Sequence, residues 1–163
     1  MIRVLIVDNN ITRAGLTSRA VRRLNFGARV NYALSAVQAL FYVAGVLADR
    51  RKTLPDIIVL AEPLPETRGV DALKAITQAV GAHPVSIVVV RDADEPADAV
   101  EYYKNGAAAY VARRSTEADY QNCVADAVCF TAMVMGLVPK QPRFLSPEQY
   151  RQPTIGEILQ VYI

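Results

Sequence analysis

Short β-rich runs alternate with longer stretches of helical periodicity along most of the chain, which restricts it to a parallel sheet covered on both faces by helices. The strands are expected at Arg3 to Val7, Arg29 to Ala33, Ile57 to Leu60, Ser86 to Val90 and Ala108 to Ala112. Three of these are almost wholly apolar, as strands buried on both faces should be. The implied fold class is α/β: a doubly wound, five-stranded parallel sheet of order 2-1-3-4-5. Its functional crevice is expected at the carboxyl ends of the strands.

The helices follow from periodicity and caps. The first should begin at Asn10 as its cap and stop before Gly27, and the second should follow Ser35. In the second, Val37, Leu40, Phe41, Ala44 and Leu47 form the expected inner stripe, and Val70, Leu73, Ile76 and Val80 do so in the third. A fourth runs from about Glu95 to Asn105-Gly106. The fifth opens with the capping-box spacing Thr116-x-x-Asp119.

Composition excludes several classes. A content of 52% hydrophobic and 21% charged residues argues against disorder, and 163 residues suit one domain with a substantial core plus a tail. Eighteen basic against sixteen acidic side chains make too weak a field to imply nucleic acid or an anionic membrane. The amino terminus is too short and too soon acidic for a secretory signal, and no apolar run is long enough to span a bilayer, so a cytoplasmic location is expected. Cys123 and Cys129 fall on one helix at a spacing unsuited to a bridge and read as reduced, buried thiols. His83, in a loop with no acidic or cysteine neighbour, reads as a surface residue. Proline punctuates residues 138–163, which form a tail or arm after a domain of residues 1–137.

The segment Pro55-Asp56-Ile57-Ile58-Val59-Leu60-Ala61-Glu62-Pro63-Leu64-Pro65, with Gly69 four residues on, resembles the third strand and following loop of response-regulator (CheY-like) receiver domains. The resemblance covers roughly residues 1 to 137. It implies that Ala61 holds the position of the aspartate that accepts phosphate from a histidine kinase, and a methyl group cannot attack phosphorus. Where the family has two magnesium-holding acids this chain has Asp8 and Asn9. The Ser/Thr switch position is Arg91, the lysine position is Arg113, the following proline is Arg114, and the switch aromatic is Tyr110. The chain thus looks like an atypical pseudo-receiver lacking the phosphoacceptor.

These replacements reverse the sign of the crevice, because Asp8 is opposed by Arg91 and Arg113. Magnesium prefers several oxygen ligands including carboxylates, so no metal site and no cofactor are expected. Pairing of Asp8 with Arg113 or Arg91 would close the crevice permanently. Strand alternation turns Glu62 away from the side of Ala61, which gives it a solvent-facing role.

The fifth helix has almost no polar face from Val124 to Leu137, and a sheet covers only one side of a helix. The other side requires the tail or a second subunit. The resemblance implies a homodimer through the fourth helix, fifth strand and fifth helix, with Val124, Val128, Phe130, Met133 and Met135 at the interface. Tyr102 and Tyr103 are secondary candidates on that face.

The expected function is a non-enzymatic, phosphorylation-independent module of two-component-type signalling, with no catalytic residues. A sensor kinase or another signalling protein is its expected partner. Leu40-Phe41-Tyr42 and the extended fifth helix resemble the short single-domain regulators that partner bacterial phytochrome kinases. Two alternatives stand beside this reading. Arg143-Phe144-Leu145-Ser146-Pro147-Glu148 looks like a linker to a LuxR-type DNA-binding domain, although too few residues follow for a helix-turn-helix. A flavodoxin-like carrier would need a phosphate loop, of which Asp8-Asn9-Asn10-Ile11-Thr12-Arg13 is a poor version, but Arg91 and Arg113 offer charge for a small anion.

Overall fold

The computed structural model describes residues 1–24, 26–67, 70–91, 99–112 and 116–137. Five strands alternate with five helices: β1 Ile2–Val7, α1 Ile11–Arg22, β2 Ala28–Ala33, α2 Ala36–Ala48, β3 Ile57–Glu62, α3 Asp71–Val80, β4 Ser86–Arg91, α4 Ala99–Lys104, β5 Ala107–Ala112 and α5 Glu117–Val134. All strand pairs are parallel and the sheet order is β2-β1-β3-β4-β5, as the alternation predicts. The expected start of α4 near Glu95 lies outside the described residues.

Side-chain alternation along the strands sorts the core into two layers. Val4, Ile6, Val59, Val88 and Val90 face α1 and α5, together with Val124 and Val128. Leu5, Val7, Ile58, Leu60 and Val89 face the other way, against α2, α3 and α4. The three central strands are buried on both faces, which explains their unbroken apolar sequences.

Local chemistry fixes the helix starts. The side chains of Asn10, Ser35 and Thr116 each accept a hydrogen bond from the backbone N–H three residues on. Glu66 reaches from the loop after β3 to accept from Ala36 N–H at 3.0 Å, which places a carboxylate at the positive end of α2. Gly106 turns the chain from α4 into β5 at φ 103°, and a Cβ there would lie 3.2 Å from the Thr77 side chain.

Helix α2 corrects the expected inner stripe. Ala36, Ala39, Val43 and Val46 are buried, whereas Val37, Phe41, Ala44 and Leu47 are exposed and Leu40 is half-buried. The helix carries two apolar stripes, so periodicity alone does not choose between them. The stripe of smaller side chains lies against the sheet, and the bulkier one faces solvent.

Helix α5 is covered on more than one side. The sheet and α1 bury Tyr120, Val124, Ala125, Val128, Cys129 and Ala132, and the Tyr120 hydroxyl lies 2.6 Å from Thr17 Oγ1. Val124 and Val128 therefore belong to the core and are unavailable to a partner. Met133 and Met135 are half-buried against the same core, and Phe130 alone of the expected interface set is exposed. Cys129 is buried, Cys123 is half-buried, and both are free. His83 is exposed, as expected. Among the described residues no helix is long and apolar enough to cross a membrane.

Candidate functional site

The carboxyl ends of β1, β3 and β4 bring Asp8, Ala61, Glu62 and Arg91 to one end of the sheet, but alternation divides them between its two faces. Ala61 shares strand parity with Val59, on the α1 and α5 side. Glu62 and Arg91 share parity with Leu60 and Val89, on the side of α3 and α4, and they are register partners on adjacent strands.

On the first side, Asp8 is 1% exposed and fully engaged. Its Oδ2 accepts from Arg13 Nε at 2.6 Å, and its Oδ1 accepts from Arg13 Nη2 at 2.6 Å and from Asn10 N–H at 2.9 Å. The guanidinium forks across both carboxylate oxygens, the strongest geometry for such a pair. Asp8 thus takes its cation from the first turn of α1, which corrects the expected pairing with Arg91; Arg113 lies outside the described residues. An arginine in the first turn of a helix opposes the helix dipole, and that misplacement was the available sequence signal that Arg13 answers a nearby carboxylate. Asn9, beside Asp8, is exposed. Ala61 is buried and apolar, register-paired with Val90.

On the second side, Glu62 is 1% exposed, which corrects its expected solvent-facing role. Alternation does turn it away from Ala61, but α4 covers that side. Tyr102, on α4 and buried, donates its hydroxyl to Glu62 Oε2 at 3.4 Å and accepts from Arg91 Nη1 at 3.0 Å. Glu62 Oε1 and Arg91 Nε are buried without hydrogen-bond partners among the described residues. Burial pushes the Glu62 carboxyl up to about 7, against the opposing pull of the Arg91 cation and the Tyr102 hydrogen bond. Burial also raises the Tyr102 and Tyr110 phenols, with the Glu62 charge acting in the same direction.

Tyr110 packs its ring on Tyr102, with centroids 5.3 Å apart at 43°. Its backbone N–H donates to the Tyr103 hydroxyl at 3.2 Å. The switch-aromatic position is thereby tied through Tyr102 to Glu62 and Arg91. Sequence reasoning placed Tyr110 and Arg91 at this end of the sheet but missed Glu62 and Tyr102 as their partners. Among the described residues, no three His, Cys, Asp or Glu side chains converge as metal ligands.

No protein-family model matches this sequence, and a search of curated proteins finds no match. Solved structures do match. The phosphorylated cyanobacterial phytochrome response regulator RcpA superposes with a TM-score of 0.67 at 19% identity, over 82% of this chain and 95% of its own. The response regulator domain of Thermotoga maritima CheB gives 0.61 at 20% identity, over 85% and 99%. Another response regulator, in its Mn2+-bound form, gives 0.66 at 15% identity, over 85% and 98%. The chain has the receiver, or CheY-like, fold.

Proposed function

We propose that this chain is a receiver-fold signalling module that acts through protein contacts, without phosphoryl transfer at the Ala61 position. The observation that carries this reading is the paired change at the crevice: a buried methyl at position 61 and an Asp8 carboxylate already held by both prongs of Arg13. A phosphoacceptor site needs a nucleophilic oxygen and carboxylates free to hold a divalent cation. Ala61 supplies no oxygen, Asn9 supplies no carboxylate, and Asp8 is engaged. The phosphorylated state of the cyanobacterial neighbour and the bound Mn2+ of the other each call for oxygens that these side chains do not offer in this reading.

The module has no enzymatic role in this reading, and its partners are a sensor kinase, another signalling protein or a second copy. Contact runs through the outer face of α5, where Phe130 and Val134 are exposed. The small-anion alternative is weakened because Arg91 Nη1 is engaged by Tyr102 on the other side of the sheet from Asp8. Incubation with a small phosphodonor and Mg2+, followed by intact-mass measurement and sedimentation, tests the proposal. Unchanged mass and unchanged association are expected; an acid-stable, base-labile gain of one phosphoryl group overturns it.

A further inference from the structure

Helices α2 and α5 carry outward faces that complement each other in both polarity and charge. α2 contains no charged residue, and it presents Val37 and Phe41 to solvent, with Phe41 74% exposed. Gly45 keeps the surface beside Phe41 open, since nothing lies within 4 Å of where its Cβ would stand. Beyond the end of α2 the surface turns basic, with Arg50, Arg51 and Lys52 in succession. Arg29 on the edge strand β2 joins Arg51 and Lys52 in lining a groove of about 560 Å³ that reaches Phe41 and Gly45.

This basic end is only partly neutralised. Arg51 pairs with Asp49 and Arg3 pairs with Asp56, whereas Arg29, Arg50 and Lys52 make no ion pair among the described residues. Arg29 and Lys52, which both line that groove, give it positive charge that no ion pair offsets among the described residues. A complementary surface must be apolar at one end and acidic at the other.

The outward face of α5 has that layout in reverse. Its charged residues are Glu117, Asp119 and Asp126, with no lysine or arginine, and its apolar end exposes Phe130 and Val134 at 63% and 71%. Val37 and Phe41 are four positions apart on α2, as are Phe130 and Val134 on α5. Laid antiparallel with Phe130 beside Phe41, the two faces bring Val134 to Val37 and the α5 carboxylates to the basic end of α2. The antiparallel sense also sets opposite helix dipoles side by side.

We propose that α5 of one copy docks antiparallel on α2 of a second copy of this chain. The inference rests on the reading of α5 as a contact element, and it is independent of the chemistry at Ala61. α2 packs on one face of the sheet and α5 on the other, so the two halves of the contact point away from each other. Such a heterologous contact leaves a free α2 at one end and a free α5 at the other, and it propagates head to tail. Residues 138–163 of the same chain, with Lys140, Arg143 and Arg151 against Glu148 and Glu157, do not supply the acidic surface that the basic end of α2 calls for, whereas α5 of a second copy does.

Two full-length variants test the contact: Phe41→Glu, which spoils the α2 face only, and Phe130→Glu, which spoils the α5 face only, so that the two altered faces also repel each other. Both sites are exposed, and far-UV circular dichroism checks that each variant folds. In sedimentation velocity the wild type should grow with concentration beyond a dimer and dissociate as salt is raised. Each variant alone should be monomeric, and an equimolar mixture should give a 1:1 heterodimer that grows no further. Asp119→Lys should weaken association by about tenfold or more, and Lys52→Glu in the same chain should recover it. A monomeric wild type, a Phe41→Glu chain that still dimerises through α5 alone, or a mixture that stays monomeric overturns the proposal. A chain inert to phosphodonor yet monomeric refutes only this contact; a phosphorylated chain that still forms the heterodimer refutes only the proposed function.

Discussion

The two sides of the crevice differ in how their charges are settled, although Ala61 and Glu62 are neighbours on one strand. Toward α1 and α5, Asp8 accepts three hydrogen bonds, two of them from the forked guanidinium of Arg13, and position 61 contributes only a methyl. Toward α3 and α4, Glu62 and Arg91 sit on paired strand ends and share one tyrosine hydroxyl, and each leaves a buried polar atom without a partner among the described residues. A satisfied buried pair is rigid; a partly satisfied cluster carries the desolvation cost of each polar atom left unpaired. In the proposed reading, the side that carries phosphoryl chemistry in the resembled family is held shut by Arg13, and the unmet hydrogen-bonding capacity lies on the other side.

The largest effect expected from disturbing this contrast is at Arg13. Arg13→Ala leaves Asp8 buried and unpaired, and should cost about 3 kcal/mol in urea denaturation at neutral pH. Adding Asp8→Asn should return part of that loss, because the stranded charge is removed. Equal stability of wild type and Arg13→Ala would show that the first side is no more settled than the second.

Glu62 should behave in the opposite way. Its folded pKa, about 7, lies above the ordinary glutamate value of 4.5. Below about 4.5 both folded and unfolded chains carry the proton. Between there and about 7 only the folded chain keeps it, so its contribution falls as pH rises and is lost through the folded pKa. Arg91 and Tyr102 oppose this shift and Asp71 adds to it. Glu62→Gln should therefore stabilise the protein by about 2 kcal/mol above pH 7, have little effect near pH 4, and flatten the stability profile between them. A variant less stable than wild type at pH 8 would mean that the ionised carboxylate is the favoured form.

Smaller effects follow outward from the cluster. Tyr102→Phe removes the hydroxyl shared by Glu62 and Arg91 and should cost about 1 kcal/mol, read from the same denaturation curves. Phe41→Ser, on the exposed face of α2, should change monomer stability by no more than about 0.5 kcal/mol while reducing self-association. A large loss on Phe41→Ser would instead make that side chain part of the core.

The fold was legible because parallel strands buried on both faces leave unbroken apolar runs, and Asn10, Ser35, Thr116 and Gly106 mark where elements begin and end. The places of Ala61, Asp8, Asn9 and Arg91 at or just beyond the carboxyl ends of strands were legible in the sequence. Their partners were less accessible to sequence. Arg91 is separated from Asp8 by the sheet itself, and one residue of strand alternation decides that separation. Glu62 obeys the same alternation, but its burial depends on Tyr102 of α4, which reaches across from a distant part of the chain. In α2, two apolar stripes made the inner face undecidable until packing selected the smaller side chains.

The central claim is that Ala61 marks a crevice rebuilt as a whole, and restoring the missing side chain tests it most directly. The full chain carrying Ala61→Asp, with its fold confirmed by circular dichroism, is incubated with a small phosphodonor and Mg2+ and its intact mass is measured. With Asp8 held by Arg13 and Asn9 in place of the second acid, the variant should remain unmodified. Stoichiometric formation of an aspartyl phosphate would show that Ala61 is an isolated loss in an otherwise working site.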